Sequence, residues 1–197
     1  MAGGISIDFK NYDEVVKGMK NCQKELAMGV RRTQLDMAKR GVHTVVRSEV
    51  TKVYNIKKSD LAKGRYYQTG SISLAGVSIP FFTVEYQSSK TFTPTHFGMT
   101  PKARPASNRR YTVQWKPLKA GGKIPLRGDN SGEPVFITGG KGGVMLPFQR
   151  LGKRRYPIEV VRTHLSVPQM IDNSKVQPHE EEEISRRIEQ GLGRYIK

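Results

Sequence analysis

From residue 15 onward, apolar or small side chains recur at steps of three and four: Val15, Met19, Cys22, Leu26, Val30, Thr33 and Met37. The series continues through Val42, Val45, Val46 and Val50. That spacing is one face of a helix. Asn11 and Glu14 fit a capping box at its start: the Asn accepts an orphan N–H and the Glu reaches back. Ahead of it, residues 5–9 (ISIDF) alternate like a short strand. Unbroken over ~40 residues, the helix would be about 60 Å long. Gly18, Gly29 and Gly41 each weaken it by roughly 1 kcal/mol relative to Ala, which predicts a kink or break near Gly41. A rod of that length needs something to lie against, a sheet or a neighbouring subunit.

Asn55 reads as the helix stop, and a short second helix is predicted over 57–63, ended by Gly64. Strands are predicted at 71–76 and 81–87, with a break at Pro80, and at 110–116, where Tyr111, Val113 and Trp115 share a face. Residues 134–139 and 144–151 flank a glycine-rich GGKGG and read as a hairpin. Residues 88–108 and 117–133 are rich in turn formers and are expected as long loops, the second one protruding or mobile. Near the end, Pro178 suits a helix first turn, and Ile184, Ile188, Leu192 and Ile196 step by four. The carboxylates of Glu180 to Glu183 favour a helix N-terminus and are expected to be solvated. The fold class is α+β: a long N-terminal helix packed on an antiparallel β-sheet, with a C-terminal helix. Residues 1–197 form one domain.

Composition sharpens this picture. Only 36% of the side chains are hydrophobic, while Gly and Pro number 20 and 11, so part of the core is expected to be completed by neighbours. The net charge is +17, unevenly placed: +6 over residues 1–85, +12 over 86–165 and −1 over 166–197. The middle is a cationic belt. It suits nucleic acid, acidic protein surfaces, anionic lipid or salt bridges to adjoining subunits. The single cysteine, Cys22, excludes an intrachain disulfide and reads as a small buried hydrophobe. The first residues carry no basic and apolar leader pattern, and no run of about 18 apolar residues exists. Neither secretion by a signal peptide nor a membrane span is expected, so synthesis belongs to a cytoplasm.

Candidate chemistry is thin. His43, His96, His164 and His179 lie far apart and lack metal-ligand spacing. His179 beside Glu180–Glu183 is weighed as a divalent-ion site, against a plain acidic helix start. TGGKGG at 138–143 lacks the order of a phosphate-binding loop and sits between strands, so it reads as a hairpin tip; AGGKIP at 120–125 fails the same test. No Ser-His-Asp or Cys-His arrangement is legible. Aromatic residues beside cations at 65–67, 109–111 and 154–156 suggest base stacking or, preferably, core or interface packing. No catalytic residue, cofactor or metal is therefore assigned, and the chain does not read as an enzyme.

Two motifs carry a resemblance. NIKKSDL follows the long helix, giving Asn55, Ile56, Lys57 and Asp60; RYPI and a later SVPQM give Arg155, Pro157, Ile158, Ser166, Pro168, Gln169 and Met170. Their order, across most of residues 12–197, resembles the bacteriophage minor tail protein Z family. The chain departs from the family at Arg162-Thr163-His164-Leu165, where a Gly-Pro-like turn is usual, and in its insertions near 88–108 and 117–133. The resemblance implies a tail-completion-like structural virion protein, made in the host cytoplasm. Such a protein forms a homo-oligomeric ring, usually a hexamer, at the neck or head-proximal tail end. Implied partners are copies of itself, a tail terminator or tail tube protein and head–tail connector proteins, with non-specific DNA contact in the lumen and no membrane. Lys153, Arg154, Arg155, Arg109 and Arg110 are the candidates for subunit or anionic contacts. The alternative is a nucleic-acid-binding protein that uses the 86–165 belt.

Overall fold

The computed structural model describes residues 24–87, 91–106, 110–129 and 133–195. The expected strand at 5–9, the Asn11 and Glu14 box, Val15, Gly18, Met19, Cys22, Arg109 and Ile196 lie outside the described residues. Helix α1 (Lys24–Asp36) passes through a π-helical turn at Met37–Gly41 and continues as α2 (Val42–Val53). Gly41 keeps helical angles (φ −59, ψ −55), so the predicted break does not occur; a wider turn is accommodated instead. Gly29 is no weak point either. A Cβ there would overlap the ring of Tyr195, so the glycine lets the C-terminal end lie against α1. Tyr54 turns extended and ends the helix one step before Asn55.

Residues Lys58–Asp60 form a 3-10 turn in place of the expected helix. β1 (Arg65–Leu74) and β2 (Val77–Glu85) then make an antiparallel hairpin. Its turn, Ala75-Gly76, has φ of 49 and 74, the left-handed pair that matches strand twist. The expected break at Pro80 is absent. Pro80 sits opposite Ser71, and a strand paired on one side only tolerates a residue without an N–H. α1 lies on β2, where Ala27 and Val30 bury against Leu74, Val77 and Ile79.

The 88–108 segment is not a plain loop. Its 3-10 turn Pro94–Phe97 puts Phe97 fully inside, edge-on to Trp115, and Met99 is buried beyond it. The predicted strand at 110–116 shortens to β3 (Gln114–Trp115), paired with β4 (Ile124–Pro125). Its alternation still holds: Val113 is buried and Arg110 and Thr112 are exposed. The 117–133 segment is tied down where it begins, because Asn55 N–H donates to Pro117 O and Lys119 N–H to Val53 O. β5 (Phe136–Gly139), β6 (Met145–Arg150) and β7 (Ile158–Val160) form a three-stranded antiparallel sheet in that order. The β5–β6 hairpin turns through the glycine-rich tip as expected, with Gly142 and Gly143 at positive φ.

Helices α3 (Val167–Ile171) and α4 (Gln177–Gly193) close the chain, and α4 packs on both α1 and α2. The fold is α+β, with the N-terminal helix on an antiparallel hairpin and a C-terminal helix beside it. Three apolar clusters result. Trp115 packs against the first, around α2, and the third, under β5–β7; Ile188 packs against the first and the second, under α1. Among the described residues, no helix is long and apolar enough to cross a membrane.

Candidate interaction surfaces

After β6 the chain folds back, and Ile158–Val160 docks on the sheet as β7. Leu151 N–H donates to Pro157 O at 3.2 Å, closing a loop whose residues 151–157 are all exposed; β7 then returns along β6. Lys153, Arg154 and Arg155 form the cationic tip of this hairpin. None of them has an ion pair among the described residues, and Arg155 lies 5.7 Å from the centre of the Tyr156 ring. Leu151 and Tyr156 flank them, 52% and 64% exposed. Arg110 is exposed in a different stretch, before β3, so the two candidate groups are not one continuous element.

The motif residues hold the frame. Ile56 is buried in the first cluster. Asn55 Nδ2 reaches Phe97 O at 3.4 Å, and Lys57 O accepts Asp60 N–H at 3.0 Å. Asp60 Oδ2 is 3.0 Å from His96 Nδ1. These contacts fasten the helix exit to the 94–97 turn. In the second motif, Gln169 Oε1 accepts from Ser166 N–H (2.8 Å) and Ser166 Oγ–H (2.9 Å), while Pro168 and Met170 are buried. That is a helix start with its polar groups satisfied. Pro157 and Ile158 lead from the basic tip into β7.

The expectation of four solvated carboxylates is wrong for Glu180. It is 3% exposed, with Oε1 unpartnered, facing Glu49 of α2 and Asp172 beyond α3. Burial, then Glu49, Glu181 and Asp172, push its pKa up to about 8. The sequence did hold a signal: stepping the apolar stripe back by fours, from Leu192 through Ile188 and Ile184, lands on Glu180. Glu183, by contrast, is exposed enough to take Arg186 and Arg187, whose hydrogen bonds lower its pKa to about 2. His43 Nδ1 lies 2.9 Å from Tyr86 Oη; burial, then Arg47 and Lys63, lower the pKa of His43, and burial raises that of Tyr86. His43 Nδ1 also receives Gly64 N–H at 3.3 Å, which fastens the approach to β1 onto α2.

Among the described residues, no group of three or more His, Cys, Asp or Glu converges as a metal site. Of the aromatic residues next to cations, Tyr111 Oη accepts Ile137 N–H at 2.9 Å, whereas Tyr66, Tyr67 and Tyr156 are exposed rather than in the core. In comparisons with protein-family models, curated proteins and solved structures, no match to this chain is found.

Proposed function

We propose that this chain is a non-enzymatic structural subunit of a long-tailed phage virion. In this reading it resembles the minor tail protein Z family and closes into a homo-oligomeric ring, a hexamer, at the neck or head-proximal tail end. The observation that carries the reading is the β6–β7 tip. A loop that exposes Leu151 and Tyr156 around three cations that have no ion pair among the described residues suits an adjoining chain. The motif residues are consistent with it, because they brace the frame through Asn55 to Phe97 and Ser166 to Gln169. Light scattering of the purified protein, with electron microscopy of particles, tests it. The wild type is expected as a ring, and Lys153→Glu with Arg154→Glu and Arg155→Glu as a folded monomer. A wild-type monomer at all salt concentrations, absent from virions, would overturn the reading.

A second reading has its own observation: the tip cations and Arg110 have no carboxylate partners among the described residues, which suits phosphates equally well. Duplex DNA affinity should then fall steeply with salt. Undetectable binding, or binding flat in salt, removes it.

A further inference from the structure

Between the end of α2 and the 162–165 stretch lies an open groove of about 510 Å³. Its floor is apolar: Tyr54, Trp115, Leu118 and Leu165. Its rim carries the cations Arg127 and Arg162, with His164 beside them. No lining residue is acidic. One wall is the 162–165 stretch, held by Thr163 N–H and Oγ1–H donating to Phe92 O at 2.8 and 2.7 Å and by Phe92 N–H donating to Leu165 O at 3.0 Å. The opposite wall is pinned through Pro117 and Lys119 to the end of α2. The groove is thus built on satisfied backbone.

Arg127 and Arg162 are exposed and have no ion pair among the described residues. His164 meets Asp129 at 3.3 Å, but both side chains are more than four-fifths exposed, so this pair does little to neutralise the rim. We propose that the groove docks an acidic segment of a partner protein, which seats an apolar side chain on the floor and sets carboxylates against Arg127 and Arg162. Carboxylates pair with guanidinium groups in bidentate geometry, and an apolar floor under a polar rim is the anatomy of a protein docking site. Nucleic acid fits less well. Tyr54 is buried with its hydroxyl taking Asn173 Nδ2 at 3.0 Å, and Trp115 is half-buried against Phe97, so no pair of open rings is available for stacking.

The site is separate from the β6–β7 tip, and its test needs no assembly. Trp115 is the sole tryptophan, so its fluorescence reports the floor. The probe is a short capped peptide of alternating glutamate and leucine, titrated into the full chain up to about 1 mM, the weak end of specific binding. A saturable blue shift is expected. Arg127→Glu with Arg162→Glu should weaken it about tenfold or more, with circular dichroism unchanged. If that variant fails to fold, Leu118→Asp, at the exposed part of the floor, gives the same weakening from the apolar side. The proposal is overturned by any of three results: no saturable shift, equal binding of a glutamate–serine peptide, or a thymidine oligonucleotide that gives the Arg127- and Arg162-dependent shift in place of the peptide.

Discussion

The helical part of the molecule, residues 24–61 and 166–195, and the belt, residues 91–165, differ in how acids are placed among their cations. In the helices, ions meet within a turn or two: Lys52 Nζ reaches Glu49 at 2.7 Å, and Glu183 takes both Arg186 and Arg187. In the belt the described cations mostly face solvent, and the contact of His164 with Asp129 at 3.3 Å is open to water. The elements differ as well. Long helices bury a stripe each, whereas the belt strands are two to six residues long and share side chains with the helical core through Phe97 and Trp115. The helical half pairs some of its ions locally yet buries Glu180 without a partner for Oε1, whereas the belt holds few acids among its exposed cations.

Substitutions can break or sharpen that contrast. The largest effect is expected where the halves join. Phe97→Ala removes a fully buried ring that touches both Phe92 and Trp115 and should cost about 3–5 kcal/mol in denaturant unfolding, with Trp115 emission shifting red. Next comes Glu180→Gln inside the helical half. A carboxyl whose folded pKa stands near 8, above its ordinary 4.5, stays protonated in the folded chain while the unfolded chain ionises. It therefore opposes folding increasingly as pH rises through that window. The wild type should lose stability relative to Glu180→Gln by up to roughly 4 kcal/mol between about pH 5 and about pH 9, read from paired melts. Equal slopes would show that Glu180 is solvated after all. Ser166→Ala, which strips the α3 start, should cost about 1 kcal/mol in urea unfolding. Smallest of all, the triple charge reversal at Lys153, Arg154 and Arg155 should leave stability within about 0.5 kcal/mol, while under the proposed ring reading light scattering should show a monomer.

Where periodicity was long, the sequence was readable. The stripe from Leu26 to Val50, the stop beside Asn55 and the stripe of α4 follow from spacing alone, because a buried helix face repeats. The hairpin around GGKGG was legible from glycines that take positive φ. Pro80 carries the sequence signal of a strand break, and the one-sided pairing that tolerates it is visible only with the partner strand in place. The 88–108 segment was misjudged because Phe97 and Met99 are isolated apolar residues among turn formers, and only tertiary contacts reveal that they are core. The tip cations were found as candidates, but their hairpin geometry was not, since LGKRRYP carries no alternation. The groove was missed altogether. Its walls come from Tyr54, 115–127 and 162–165, which are distant in sequence and carry no shared motif.

The π turn at Met37–Gly41 has a consequence for how one rod serves two neighbours. The apolar series steps by five from Met37 to Val42, and a turn that hosts one additional residue rotates everything after it by roughly 100° relative to an uninterrupted α-helix. The leading half can then point its stripe at the β2 hairpin while the trailing half aims Val45, Val46 and Val50 at the layer that holds Met170 and Ile184. Shortening that turn by a single codon would swing the second stripe out of phase and leave its valines addressed to water.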